Sequence, residues 1–176
     1  MSLGDTLAHL DAALAELHAA LTHVSFAVVE AYPRHTCGDD STGDVVFVEL
    51  YGDATTDLQG RLEATRYALR GALDASECLD VRGTRAALAR VHEELRVMRD
   101  ALLFDLLYPR LHEVLAWGAR KGGPHDAWAK SVRDALEGCL PPLARADASL
   151  SQAWPELLDV VTRHVNVHAV TSHHWR

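Results

Sequence analysis

The sequence lacks the motifs from which most enzyme active sites and zinc centres are built. Neither GxSxG nor HExxH occurs, and no GxGxxG segment or glycine-rich phosphate loop is present. The cysteines Cys37, Cys78 and Cys139 are odd in number, far apart and free of any CxxC pair. That pattern is typical of reduced cytosolic thiols rather than of a disulfide framework. These absences favour a protein without enzymatic activity.

Positive charge and long apolar runs are also scarce. Lysine and arginine number 17 against 25 aspartates and glutamates, which gives a net charge of −8 with neutral histidines. An acidic surface with scattered basic residues disfavours nucleic acids and anionic membranes as partners. No stretch approaches the roughly 18 uncharged apolar residues of a membrane span, and Asp5 and Asp11 interrupt the N-terminal segment. We therefore expect a cytoplasmic protein that binds neither nucleic acid nor membrane.

Helical periodicity, by contrast, is abundant. Apolar residues recur at alternating spacings of three and four, and we call such a series, which lines one face of a helix, a seam. The first seam predicts a helix from about Leu3 to Ala31, ended by Pro33 because the residue before a proline disfavours helical backbone angles. It comprises Leu3, Leu7, Leu10, Leu14, Leu17, Leu21, Val24 and Val28.

A polar segment without periodicity, residues 33–44, follows this helix. Its glycines and aspartates predict a loop, with Thr42 or Asp44 as the N-cap of the second helix. The segment Val45–Leu50, VVFVEL, is rich in β-branched residues. We expect it to be helical, because the next seam continues through it and no partner strand is present.

Two further seams predict a second helix that ends near Cys78 and a third that is kinked near Pro109. Asp105 follows the third seam at a position expected to be buried, and we assign it a structural role. The third helix should resume after the kink and stop at KGGP, Lys121–Pro124. The two seams are Val48, Tyr51, Thr55, Leu58, Leu62, Thr65, Leu69 and Ala72, then Val81, Thr84, Leu88, Val91, Leu95, Met98 and Leu102.

The fourth helix is expected to start at Pro124, with His125 in its first turn, and to be interrupted by Pro141–Pro142. Pro155 marks either a fresh helix start or a second kink. Trp117, Trp128 and Trp154 are expected in the core or at its boundary, as large rings at helical spacing usually are.

Together the seams predict a single all-α domain over residues 1–176. Its expected architecture is an antiparallel up-down four-helix bundle with long, proline-kinked third and fourth helices, divisible into five or six helical segments. A flexible tail is expected over residues 171–176.

Two histidines near the carboxyl end, His164 and His168, continue the apolar seam of the last helix. Residues four apart share one helix face, so both imidazoles could bind one metal ion. Two alternatives stay open: contact with water at an open bundle end, or hydrogen bonds within the core. In an up-down bundle the end of the last helix adjoins the start of the first, the end of the second and the start of the third. The possible metal partners at that end are Asp11, Asp74, Cys78 and His92.

The segment HVNVH, from His164 to His168, resembles the HxxxH motif of DinB-like four-helix bundles. The resemblance implies a divalent metal site and, in some members, thiol-dependent transferase chemistry. That family places a third histidine at the start of the second helix, where this chain has VVFVEL.

The sequence thus favours a non-enzymatic helical interaction or adaptor module that binds a protein partner or self-associates. The alternative is a bundle that binds a divalent metal ion or a small ligand through His164 and His168.

Overall fold

The computed structural model describes the backbone of residues 2–33, 41–108 and 110–172, with the side chains of these ranges apart from those of 41–46 and 164–172. Within these ranges the chain is nearly all helical and contains no strand, so the all-α fold class is confirmed. The α-helices are α1 Leu3–Ser25, α2 Ser41–Glu77, α3 Val81–Asp100, α4 Arg110–Lys121, α5 Gly123–Glu137 and α6 Leu140–Ser172. Two π-helical segments, π1 Phe26–Glu30 and π2 Ala101–Leu107, extend α1 and α3.

Helix α1 begins where its seam predicts, because Ser2 and Asp5 form a capping box. The Ser2 hydroxyl accepts a hydrogen bond from the Asp5 backbone N–H at 3.2 Å, and the Asp5 carboxylate accepts one from the Ser2 N–H at 3.0 Å. Every residue of the predicted seam from Leu3 to Val28 is buried. By length and composition alone, Leu3–Glu30 is apolar enough to cross a membrane, a test that core helices of soluble proteins also pass.

Helix α2 begins earlier than predicted. It starts at Ser41, so Thr42 and Asp44 lie inside the helix and neither is its N-cap; that prediction was wrong. Gly43 keeps its backbone N–H, so it weakens the helix without ending it. Residues 34–40 of the predicted 33–44 loop lie outside the described residues. The segment Val45–Leu50 is helical, as predicted, and α2 ends at Glu77, close to the predicted Cys78.

Four helices enclose the core: α1 packs on α2 and α6, and α3 packs on the same two helices. Each of these interfaces is crossed by an ion pair between exposed or half-buried side chains, and such pairs contribute little to stability. The four pairs are Arg66–Asp11, Arg145–Glu16, Arg61–Glu94 and Arg99–Asp147.

The π2 segment corrects the prediction that Asp105 is buried. In a π-helix each hydrogen bond spans five residues, so one extra residue enters the turn and the buried face shifts. The buried positions are Leu102, Leu106 and Leu107, and Asp105 is exposed.

The third predicted helix is broken rather than kinked. Tyr108, which precedes Pro109 in the sequence, is extended, with φ −129° and ψ 124°, as the residue before a proline prefers. A separate helix, α4, begins at Arg110.

Helices α4 and α5 form a tight hairpin. Gly122 and Gly123 turn the chain with φ of 73° and 51°, backbone angles that favour glycine. Gly118 lets the helices approach closely, because a Cβ atom there would lie 2.7 Å from the Ala129 Cβ and 3.0 Å from the His125 carbonyl oxygen. The predicted stop at KGGP is therefore confirmed.

A turn at Gly138–Cys139 separates α5 from α6, and the prolines Pro141 and Pro142 occupy the first turn of α6. The interruption predicted there is confirmed. Helix α6 then continues through Pro155 to Ser172, so no new helix starts at that proline.

Candidate functional site near the carboxyl end of α6

The HxxxH pair lies near the carboxyl end of α6. The helix runs to Ser172, so His164 and His168 occupy successive turns of one continuous helix. Their side chains, and residues 173–176 of the expected tail, lie outside the described residues. The metal site at this pair therefore stays a prediction.

Two of the four expected metal partners lie close to this end of the molecule. Asp74 is in the last turn of α2, Cys78 follows its final residue, and both are exposed. Neighbouring Ser76 and Glu77 line the same pocket as Val160 of α6, which lies one turn before His164.

The other two expected partners lie farther from this end of the molecule. Asp11 is eight residues beyond Leu3, about 12 Å along α1, and its carboxylate lies 3.5 Å from Arg66 Nε. His92 is exposed and eleven residues beyond Val81, about 16 Å along α3. The described side chains contain no group of three or more His, Cys, Asp or Glu that could hold a metal ion.

What the structure does place at this end is a pocket of about 310 Å³, which we call the end pocket. It forms where the start of α1, the end of α2, the start of α3 and one face of α6 meet. Glu77 is the one charged residue of its lining, so the lining is mainly apolar and small. The lining residues are Ser2, Leu3, Gly4, Ser76, Glu77, Leu79, Val81, Thr84, Leu157 and Val160.

Leu79 is the unusual member of this lining. Its φ is 56°, in the left-handed region that costs a residue with a Cβ atom about 1–2 kcal/mol. The Asp80 N–H donates to the Ala75 carbonyl at 2.8 Å and the Leu79 N–H to the Ser76 carbonyl at 3.2 Å. This is the Schellman ending of a helix, in which glycine usually occupies the left-handed position.

The Leu79 side chain is 59% exposed, so burial offsets little of this backbone strain. Leu79 belongs to none of the predicted seams, because it lies between the second and the third. The missing glycine at the end of a predicted helix was the signal that could have identified it.

An aromatic cluster lies where α4 and α5 pack against π1 and the start of α2. The Tyr32 and Trp128 rings are perpendicular with centroids 5.2 Å apart, and Trp117 meets His125 edge to face at 5.3 Å. Phe47 contacts Trp117 at 5.8 Å. Such separations are contact distances, so these rings pack against one another near the end of α1 that lies away from the end pocket.

The core positions predicted for Trp117 and Trp128 are confirmed, and Trp154 is half-buried at the boundary. His125 lies in the first turn of α5 as predicted, yet it is only 6% exposed, which the sequence did not indicate. Its Nε2 atom has no hydrogen-bond partner among the described residues.

In comparisons with known proteins, no family model, curated protein or solved structure matches this chain. The resemblance of HVNVH to DinB-like bundles therefore rests on that motif alone.

Proposed function

We propose that this protein is a non-enzymatic interaction module, an antiparallel four-helix bundle whose end pocket docks a basic amphipathic helix of a partner protein. The observation that carries the proposal is the exposed, backbone-strained Leu79 in the lining of that pocket.

The proposed bundle has α1–π1 and α2 as its first two helices, α3–π2 with α4 as its third, and α5–α6 as its fourth. Antiparallel packing is supported by the order of contacts along α1 and α6. Leu3 and Leu157 line the same pocket, whereas Glu16, farther along α1, pairs with Arg145, which lies earlier in α6. The contacts between α2 and α3 have a similar order, because Ser76 and Val81 line the same pocket, whereas Arg61, earlier in α2, pairs with Glu94, later in α3.

The strain at Leu79 supports docking because the side chain does little for the fold. Glycine at this position would give a less strained helix ending. A leucine that is mostly exposed gains its hydrophobic free energy only when another apolar surface covers it. An apolar side chain of a partner, inserted between Leu79 and Leu157, would provide that cover.

The charges around the end pocket support a cationic partner. Six carboxylates lie in the lining or within two residues of it along the chain, against two arginines, Arg82 and Arg85, while Arg163, one residue farther, pairs with Asp159. This excess of negative charge favours partners whose apolar anchor is flanked by lysine or arginine. The carboxylates are those of Asp5, Asp74, Glu77, Asp80, Glu156 and Asp159.

The test uses two synthetic helical peptides with the same leucine stripe and either lysines or glutamates on the polar face. Fluorescence anisotropy of the labelled peptides should show saturable binding of the lysine peptide, with the glutamate peptide at least about tenfold weaker. Leu79→Gly should weaken lysine-peptide binding about tenfold, because it removes one buried leucine contact.

Leu79→Gly is a favourable test variant, since glycine suits the backbone angle at this position and the fold should not suffer. Leu158→Ala is the matched control, because Leu158 is 65% exposed but does not line the pocket. Leu158→Ala should bind the lysine peptide as tightly as the unmodified protein does. The proposal is wrong if Leu79→Gly also binds it that tightly.

Self-association would place a second copy of the chain at the same surface. Sedimentation at increasing concentration distinguishes the two occupants: a dimer weakened by Leu79→Gly identifies a second copy, and a monomer points to a different protein. We place this activity in the cytoplasm, in keeping with the free thiols of Cys78 and Cys139.

A further inference from the structure

A second pocket, of about 450 Å³, lies in the groove between α1 and α2. We call it the arginine groove, after two of its five lining residues: His18, Glu63, Arg66, Tyr67 and Arg70. His18 is fifteen residues beyond Leu3, or about 22 Å along α1, so the arginine groove is separate from the end pocket.

Arg66 is held in position at this groove by Asp11 of α1. The Asp11 carboxylate lies 3.5 Å from Arg66 Nε, and the Arg66 side chain is 29% exposed. A guanidinium has five N–H donors, and this ion pair is not a hydrogen bond, so the buried Nε–H of Arg66 has no hydrogen-bond partner among the described residues. No acceptor among the described residues hydrogen-bonds to the Nη groups of Arg66. An oriented donor pair of this kind matches two oxygens of a phosphate group.

The other residues of the groove add donors around the same space. Arg70 lies one turn beyond Arg66 and has no ion-pair partner among the described residues. The Tyr67 side chain is 74% exposed, which leaves its hydroxyl and ring accessible. On α1, His18 lines the groove, and its Nδ1 is buried without a hydrogen-bond partner in the described part of the chain.

We propose that the arginine groove binds the phosphate group of a small molecule. Arg66 and Arg70 would hold the phosphate oxygens, with Tyr67 and His18 as further donors. Because the whole protein carries a charge of −8, it does not attract a phosphate group over a long range. The free energy of phosphate binding must therefore come from hydrogen bonds and ion pairs with the guanidinium groups in the groove. Glu63 opposes binding, since its carboxylate lines the same groove.

The experiment is an NMR titration of the isotopically labelled protein with inorganic phosphate, compared with chloride at the same pH and ionic strength. Phosphate should shift the backbone amide signals of α1 and α2 beside the groove with a saturable curve, and chloride should not. Saturable shifts confined to these residues support the site.

Three variants make the test specific. Arg70→Gln should weaken phosphate binding about tenfold, because one charged hydrogen-bonding partner is lost. Glu63→Gln should tighten it, because a like charge is removed. Arg90→Gln, an exposed position on α3 with the same change of charge, should leave it unchanged.

All three variants change exposed side chains, so they should fold like the unmodified protein, which the reference spectra check directly. Non-saturable shifts, equal shifts with chloride, or equal weakening by Arg70→Gln and Arg90→Gln would each overturn the proposal.

Discussion

The indole nitrogen of Trp128 in α5 donates a hydrogen bond to the carbonyl oxygen of Val28 in π1, at 3.3 Å. The Tyr51 hydroxyl likewise donates a hydrogen bond to the carbonyl oxygen of Leu106 in π2, at 3.1 Å. Both carbonyls lie at the ends of helices, and the last carbonyls of a helix have no N–H donor within that helix. A proline follows each segment in the sequence, at 33 and 109, and proline has no N–H to donate. Buried aromatic donors thus satisfy carbonyls that water cannot reach.

We expect Trp128→Phe and Tyr51→Phe each to lower the free energy of unfolding by about 1–3 kcal/mol, because each leaves a buried carbonyl unpaired. Burial raises the pKa of Tyr51, so its hydroxyl stays a protonated donor at physiological pH. Urea unfolding measures the loss. Tyr67→Phe, at a 74% exposed tyrosine, is the control and should change stability by under about 0.5 kcal/mol. Equal effects of Tyr51→Phe and Tyr67→Phe would contradict the assigned role.

Alanine substitution of two glycines should act in opposite directions. Gly118→Ala would bring a Cβ within 2.7 Å of the Ala129 Cβ and 3.0 Å of the His125 carbonyl, so we expect a loss of about 1–3 kcal/mol. Gly60→Ala meets nothing within 4 Å inside α2 and should stabilise the protein by up to about 1 kcal/mol. Thermal unfolding of both variants tests this pair, and a stabilised Gly118→Ala would show that α4 and α5 do not pack as described.

The cysteines of the described structure should differ sharply in reactivity. Burial raises the pKa of the Cys139 thiol to about 12, whereas Cys78 is exposed. Because the thiolate is the reactive form, only Cys78 should react in the native state. In a Cys37→Ser background, a disulfide reagent should titrate one thiol in the folded protein and two after unfolding. Native modification of both thiols, as fast as in denaturant, would contradict the burial of Cys139.

Protonation of the Asp5 carboxylate at low pH should weaken the capping box of α1 and so lower the free energy of unfolding. Hydrogen bonds from the Ser2 backbone and then its side chain lower the pKa of Asp5 below its ordinary 3.8. The contribution of Asp5 to stability is therefore present above pH 3.8 and is lost as the pH falls through the lower, folded-state pKa. We expect Asp5→Asn to remove this loss, so that the stability difference between protein and variant shrinks on acidification. Urea midpoints from about pH 5 down to about pH 2 measure it, and a constant difference would contradict the capping box.

Much of the fold could be read from the sequence, because spacing alone reports which face of a helix is buried. The unbroken seam from Leu3 to Val28 is buried in full, and the seam residues from Tyr51 to Ala72 are buried as predicted. Local stop signals were equally informative, since Gly122 and Gly123 adopt the positive φ angles that few other residues tolerate. The break after α5 likewise follows from the proline pair at 141 and 142.

Periodicity could not report the hydrogen-bond pattern within a helix. Whether the residues around Asp105 form α or π turns depends on Pro109, which removes a donor, and on Tyr51, which supplies one from another helix. Spacing alone predicted that Asp105 is buried, but in the π turn its side chain is exposed to solvent. His125 was not expected to be buried, but the rings of Tyr32, which follows π1, and of Trp117 in α4 pack against it.

The sequence by itself determined the helices, their buried faces and most of their ends, since these depend on neighbours within a few residues. The tertiary structure alone decided the candidate sites. The end pocket joins Leu3, Leu79 and Leu157, and the arginine groove joins His18 to Arg66. Residues so far apart in sequence meet only when helices pack. The left-handed backbone angle of Leu79 was likewise shown by the folded chain, although the missing glycine at the end of α2 is a local signal for it.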